Sequence, residues 1–182
     1  EGTDAQLVVT EVRGEVTVSS GDGPGGAIAA GQVLGVDQRL RTGAQAAAVL
    51  TAGDDTVVRV EPGSDLTVTE VSADSVRLEI DDGRVSADVK RGERSLTIAS
   101  DGREVMATDA AFEFGVDDGT VVVQSTRGEL MTNLTGGRIQ EGQRVTVGAD
   151  GESVLASIPA EILLNVSWPE KRRTNRSSVT LQ

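Results

Sequence analysis

Three carboxylate pairs stand out among the residues able to do chemistry: Asp54-Asp55, Asp81-Asp82 and Asp117-Asp118. Adjacent acids are the raw material of general acid-base catalysis, of glycosidase carboxylate pairs and of oxygen-ligated Ca²⁺ sites. A glycosidase needs two carboxylates held across a cleft, and nothing in the spacing places a pair that way. No spacing matches an EF-hand or a nonapeptide Ca²⁺ repeat. Two of the pairs run directly into a glycine, which makes them turn residues first. The chain has no His, no Cys and no Tyr. Ser and Thr therefore lack the usual imidazole base, and thiolate metal sites are excluded. The sequence predicts no catalytic residue, no cofactor and no metal centre. Its one candidate contact is Trp168, a residue type favoured at buried interface centres, although closing a strand onto the core is the plainer role. Lys171, Arg172 and Arg173 follow it and would set a basic rim on an acidic protein.

The elements that must position these residues are strands. In SVRLEID (75–81), Val76, Leu78 and Ile80 alternate with polar residues, and RVSADVK (84–90) and AFEFGVD (111–117) repeat the pattern. A period of two marks a strand with one buried face. Asp-Gly, a tight-turn signal, occurs five times between such strings. About a dozen short strands at intervals of about 8–12 residues make an all-β domain. Apolar residues are mainly Val, Ala, Leu and Ile, with only Phe112, Phe114 and Trp168 as aromatics, so the core is thin.

A phrase is written twice. RGEV (13–16) leads to AIAAGQVLGV (27–36), and RGEL (127–130) leads to RIQEGQRVTV (138–147), matching Ile28 with Ile139 and Gly31-Gln32 with Gly142-Gln143. Small-residue strands punctuated by glycine, with a repeated corner, point to a flattened β-solenoid. The net charge of −12, from 29 acidic and 17 basic residues, opposes nucleic acid and anionic lipid surfaces. No stretch reaches the ~18 apolar residues of a spanning helix. The expected organisation is a polar tail (1–8), a β domain (9–156) and a strand segment (157–182) that either opens an Ig-like domain or pairs with another subunit. Pro159 and Pro169 bracket EILLNVSW in that last segment.

GEVTV (14–18) and AGQVLGVDQRLRTGAQAAAVLTAGDDTVVRVEPGSDLTV (30–68) resemble the FecR domain of bacterial envelope proteins. The resemblance rests on Gly31-x-x-Leu34, Leu40-Arg41-Thr42-Gly43, the strand ending at Pro62, and Gly83-x-Val85, and it extends over residues 12–148. The family's Arg-Gly-Thr-x-Phe is here Thr108-Asp109-Ala110-Ala111-Phe112, which keeps only the Phe. The resemblance implies a FecR-like β-solenoid, or flattened two-layer β-helix, with C-terminal extended strands. It implies an exported protein of the periplasm or outer envelope that interacts rather than catalyses. The expected role is an envelope scaffold assembling with copies of itself or with another envelope protein. The alternatives are a peptidoglycan or glycan-binding module, disfavoured by the scarcity of aromatic rings, and the periplasmic sensor of a sigma-factor regulator.

Overall fold

The computed structural model describes residues 6–20, 25–92, 94–134 and 137–157, and every regular element among them is a strand. The strands, numbered in chain order, form two stacked layers. One layer runs, side by side, through β4 (Val33–Leu34), β1 (Leu7–Arg13), β6 (Ala47–Ala52), β7 (Thr56–Val60), the second half of β9 (Ser75–Val89), β12 (Ala110–Asp117), β13 (Thr120–Gly128), β16 (Gln143–Val147) and β17 (Ser153–Ser157). The other runs through β3 (Gly26–Ala27), β2 (Val16–Ser20), β5 (Gln38–Thr42), β8 (Asp65–Val71), the first half of β9, β10 (Ser95–Ser100), β11 (Arg103–Ala107), β14 (Leu130–Thr132) and β15 (Arg138–Ile139). The strands outnumber the expected dozen because two-residue pieces such as Gly26–Ala27 and Arg138–Ile139 sit between turns and carry no readable alternation.

The alternating residues fill the space between the layers. Leu7, Leu50, Val58, Val85, Ala87, Phe114 and Val123 from one layer meet Leu40, Leu66, Leu78, Ile80, Ile98 and Leu130 from the other, all buried. Both phenylalanines lie in this core, and Val, Leu and Ala supply most of the rest.

The chain passes between layers at a row of corners that hydrogen-bond to one another. Gly43 N–H donates to Glu15 O at 2.9 Å, and Gly63 N–H donates to Gly43 O at 2.9 Å. Ser64 is the hub: its Oγ donates to Glu61 O at 2.7 Å and accepts from Arg84 N–H at 3.1 Å. Gly83, at φ +98°, has no alternative, because a Cβ there would collide with the Ser64 backbone. The rungs run antiparallel in every pairing except β9 with β10. The chain thus advances by bent hairpins and not by the one-way coiling of a solenoid.

The twice-written phrase marks a pseudo-two-fold axis. In the first layer an axis between β7 and β9 exchanges β4 with β16, β1 with β13 and β6 with β12, reversing direction each time. In the second layer it passes through β9 and exchanges β3 with β15, β2 with β14, β5 with β11 and β8 with β10. Mates run in opposite directions, so a strand on the axis cannot be antiparallel to both. β9 is accordingly antiparallel to β8 and parallel to β10. Local details agree. Gly31 N–H donates to Val9 O at 2.6 Å, as Gly142 N–H does to Ser125 O at 2.9 Å. The Gln32 Oε1 accepts from Ala29 N–H at 2.7 Å, as Gln143 Oε1 does from Gln140 N–H at 2.9 Å. A bulge falls at Thr10 and at Thr126, and each hydroxyl caps the facing carbonyl, of Val49 and of Ala111. Among the described strands, only β17 has no mate.

Candidate interaction face

Over β9, β12, β13 and β16 the outward residues of the first layer are mostly polar, and register aligns them into rows. Glu113 of β12 faces Ser86 of β9 on one side and Gln124 of β13 on the other, and Gln124 faces Arg144 of β16. The next row is Arg84, Gly115, Val122 and Thr146. Because Gly115 has no side chain, the Arg84 stem lies over it, with Cγ 3.7 Å from where a Cβ would be. These rows floor a cleft of about 1150 Å³, walled by Glu61 and Asp82 at one side and by Asp117 and Asp118 at another.

Inside the cleft the amide of Gln124 links two charges. Its Nε2 donates to Glu113 Oε1 at 3.4 Å, and its Oε1 accepts from Arg144 Nε at 3.0 Å. Arg84 Nη1 stands 4.0 Å from Glu113 Oε1. The Glu113 side chain is only 26 % exposed. Burial pushes its carboxyl above the ordinary carboxylate range, opposed by Arg84, reinforced by Glu61 and opposed again by Arg144. A carboxyl perturbed in a cleft marks a functional-site candidate. The neighbours are an amide and two guanidiniums, groups suited to holding and orienting a polar partner.

The carboxylate pairs of the sequence part company here. Asp82, Asp117 and Asp118 reach the cleft wall, whereas Asp55 pairs with Arg94 at 2.9 Å elsewhere and Asp81 pairs with Arg39 at 3.2 Å. Among the described residues no group of three His, Cys, Asp or Glu is arranged to hold a metal ion. Trp168, Lys171, Arg172 and Arg173 lie outside the described residues, as does the strand segment from residue 158 onward. The alternation of AFEFGVD in the sequence sets Glu113 opposite its strand's apolar face. It holds no signal for the cross-strand neighbours that make a site of Glu113 and Arg84.

Residues 38–131 match the FecR protein family, from the first residue of β5 into β14, about half of the chain. This chain belongs to the FecR family. The matched region lies inside the 12–148 expected from the resemblance and contains β9 and β12, the middle of the cleft floor. Two crystal structures of a "putative anti-sigma factor" from Parabacteroides distasonis share the FecR chain's fold. They align at 18 % and 17 % identity with TM-scores of 0.58 and 0.59, covering 68 % and 70 % of this chain. The alignments span 61 % and 63 % of the Parabacteroides chains, so this FecR chain accounts for less than two thirds of their length. No curated protein matches it. No helix among the described residues of this FecR protein is long and apolar enough to cross a membrane.

Proposed function

We propose that this chain is the signal-receiving domain of a sigma-factor regulator, working in the cell envelope by binding another protein and without catalysis. The observation that carries the reading is the FecR match across β5 to β14. The shared fold of the Parabacteroides distasonis protein, named for an anti-sigma factor, favours this reading over a free-standing scaffold. Both phenylalanines are buried, so among the described residues no ring is free to stack on a sugar, which weighs against the glycan-binding alternative. The partner docks on the cleft of the first layer. Arg84, Glu113 and Arg144 give it a mixed cluster of charges over two adjacent rows, the arrangement that fixes orientation and rejects wrong partners.

The test is genetic. Deleting the domain from the chromosomal gene and sequencing the transcriptome should change the output of one sigma factor. No change in any sigma-dependent regulon ends the regulatory reading. Arg84→Glu combined with Arg144→Glu should block induction of that regulon with the protein still folded and present at its normal level. Normal induction would move the docking face elsewhere.

A further inference from the structure

We propose that β17 is a self-pairing edge, through which two copies of this chain join into a dimer with the outer edges of their first layers side by side. Among the described residues four strands end the two layers. Three of them, β3, β4 and β15, are two residues long, too short to template a partner strand. β17 is five residues long and is the strand without a mate across the pseudo-two-fold axis.

Edge strands in soluble proteins are usually blunted by shortness, charge, proline or a bulge. Ser153–Ser157, reading SVLAS, has none of these protections, and Val154 and Leu155 are 62 % and 51 % exposed. Its phase can be read from the ladder. Glu152 O accepts from Gly148 N–H at 2.9 Å, which makes the two a hydrogen-bonded pair, although the Gly148 carbonyl is taken by Gly151 N–H and the Glu152 N–H by Asp150 Oδ1. Alternation along an antiparallel ladder then turns the N–H and C=O groups of Ser153, Leu155 and Ser157 away from β16. No described residue pairs with that side.

The occupant is a second copy because the strand is complementary to itself. Antiparallel pairing centred on Leu155 sets Leu155 against Leu155, Ser153 against Ser157 and Val154 against Ala156. Small polar residues meet small polar residues, apolar meet apolar, and no like charges face each other. A two-fold interface of this kind closes on itself and forms no fibre. The contact is small and both bodies are acidic, so the dimer is weak and strengthens with salt.

The test uses the full chain in sedimentation experiments over a wide concentration range. A monomer–dimer equilibrium is expected, and Leu155→Lys should weaken it about fivefold or more. Mixing the Leu155→Lys and Leu155→Glu variants should restore dimers, which a misfolded variant could not do. The chain has no cysteine, so Leu155→Cys gives a single thiol on the axis. Facing residues of a hydrogen-bonded pair lie about 5.5 Å apart, within disulfide reach, so this variant should cross-link to itself and Val154→Cys should not. Monomer at every concentration would overturn the proposal. So would equal cross-linking at both cysteines, or protection of the Ser153, Leu155 and Ser157 amides from exchange in the monomer. None of these failures touches the regulatory reading, which rests on other residues.

Discussion

Ser64 does more than its size suggests. Its hydroxyl is the partner of the Arg84 N–H at a buried corner, and Gly83 must stay bare to let it in. Ser64→Ala orphans that donor, at a cost of about 1–3 kcal/mol, and calorimetry should find a Tm lower by about 3–10 °C. Gly83→Ala should cost more, because it adds a collision to a positive φ. Glu113 makes the opposite case. Its carboxyl titrates above the ordinary range in the folded state, so between the unfolded and folded values the native protein binds more protons. Stability contributed by this group is therefore present below the unfolded value and is lost as pH rises through the folded one. Glu113→Gln should raise Tm by about 1–3 °C near pH 7 and by little near pH 3, below the ordinary carboxylate range, where the wild-type acid is protonated in both states. Glycines next to acids were readable as turns. That Gly83 answers to Ser64, nineteen positions earlier, was not, because such contacts depend on how the strands are paired.

The strands themselves were legible. SVRLEID and RVSADVK declare β9 by their alternation, and AFEFGVD declares β12, since each places its apolar residues on one face. What alternation could not say is that the first two strings are one strand that changes layer at Asp82-Gly83, or which strands are neighbours. A glycine corner and a hairpin turn look alike in sequence. The turns carry their own lock: in Ala29–Gln32 and Gln140–Gln143 the fourth residue's amide folds back onto the first residue's N–H. Gly35–Gln38 uses the same device at 2.7 Å, with Asp37 at φ +72° in the glycine's place. Gln143→Ala and Gln32→Ala should each lower the free energy of unfolding in urea by about 0.5–1.5 kcal/mol. The two turns sit at opposite ends of the first layer, so the double variant should be additive within about 0.5 kcal/mol.

At the scale of the whole molecule, the repeated Arg-Gly-Glu and Gly-Gln phrases were the trace of the pseudo-two-fold axis. Their meaning as mates across an axis, and not as successive coils, required strand directions that no sequence prints. The candidate face was less legible, because its residues come from β9, β12, β13 and β16 and converge only through register. Hydrogen exchange should rank the elements by position relative to that axis. Amides of β9, flanked by β7 and β12 in one layer and by β8 and β10 in the other, should exchange slowest, and those of β3, β4 and β15 fastest. The placement of β9 also has a consequence for how the protein is made. When a ribosome has released residues 1–74, it has released two half-sheets whose inner edges, β7 and β8, lie bare side by side. The next fifteen residues close both at once. A nascent chain halted just before Ser75 should stick to its neighbours, whereas one halted after Val147 already holds its core, so birth of the body is timed by its middle strand and not by its last.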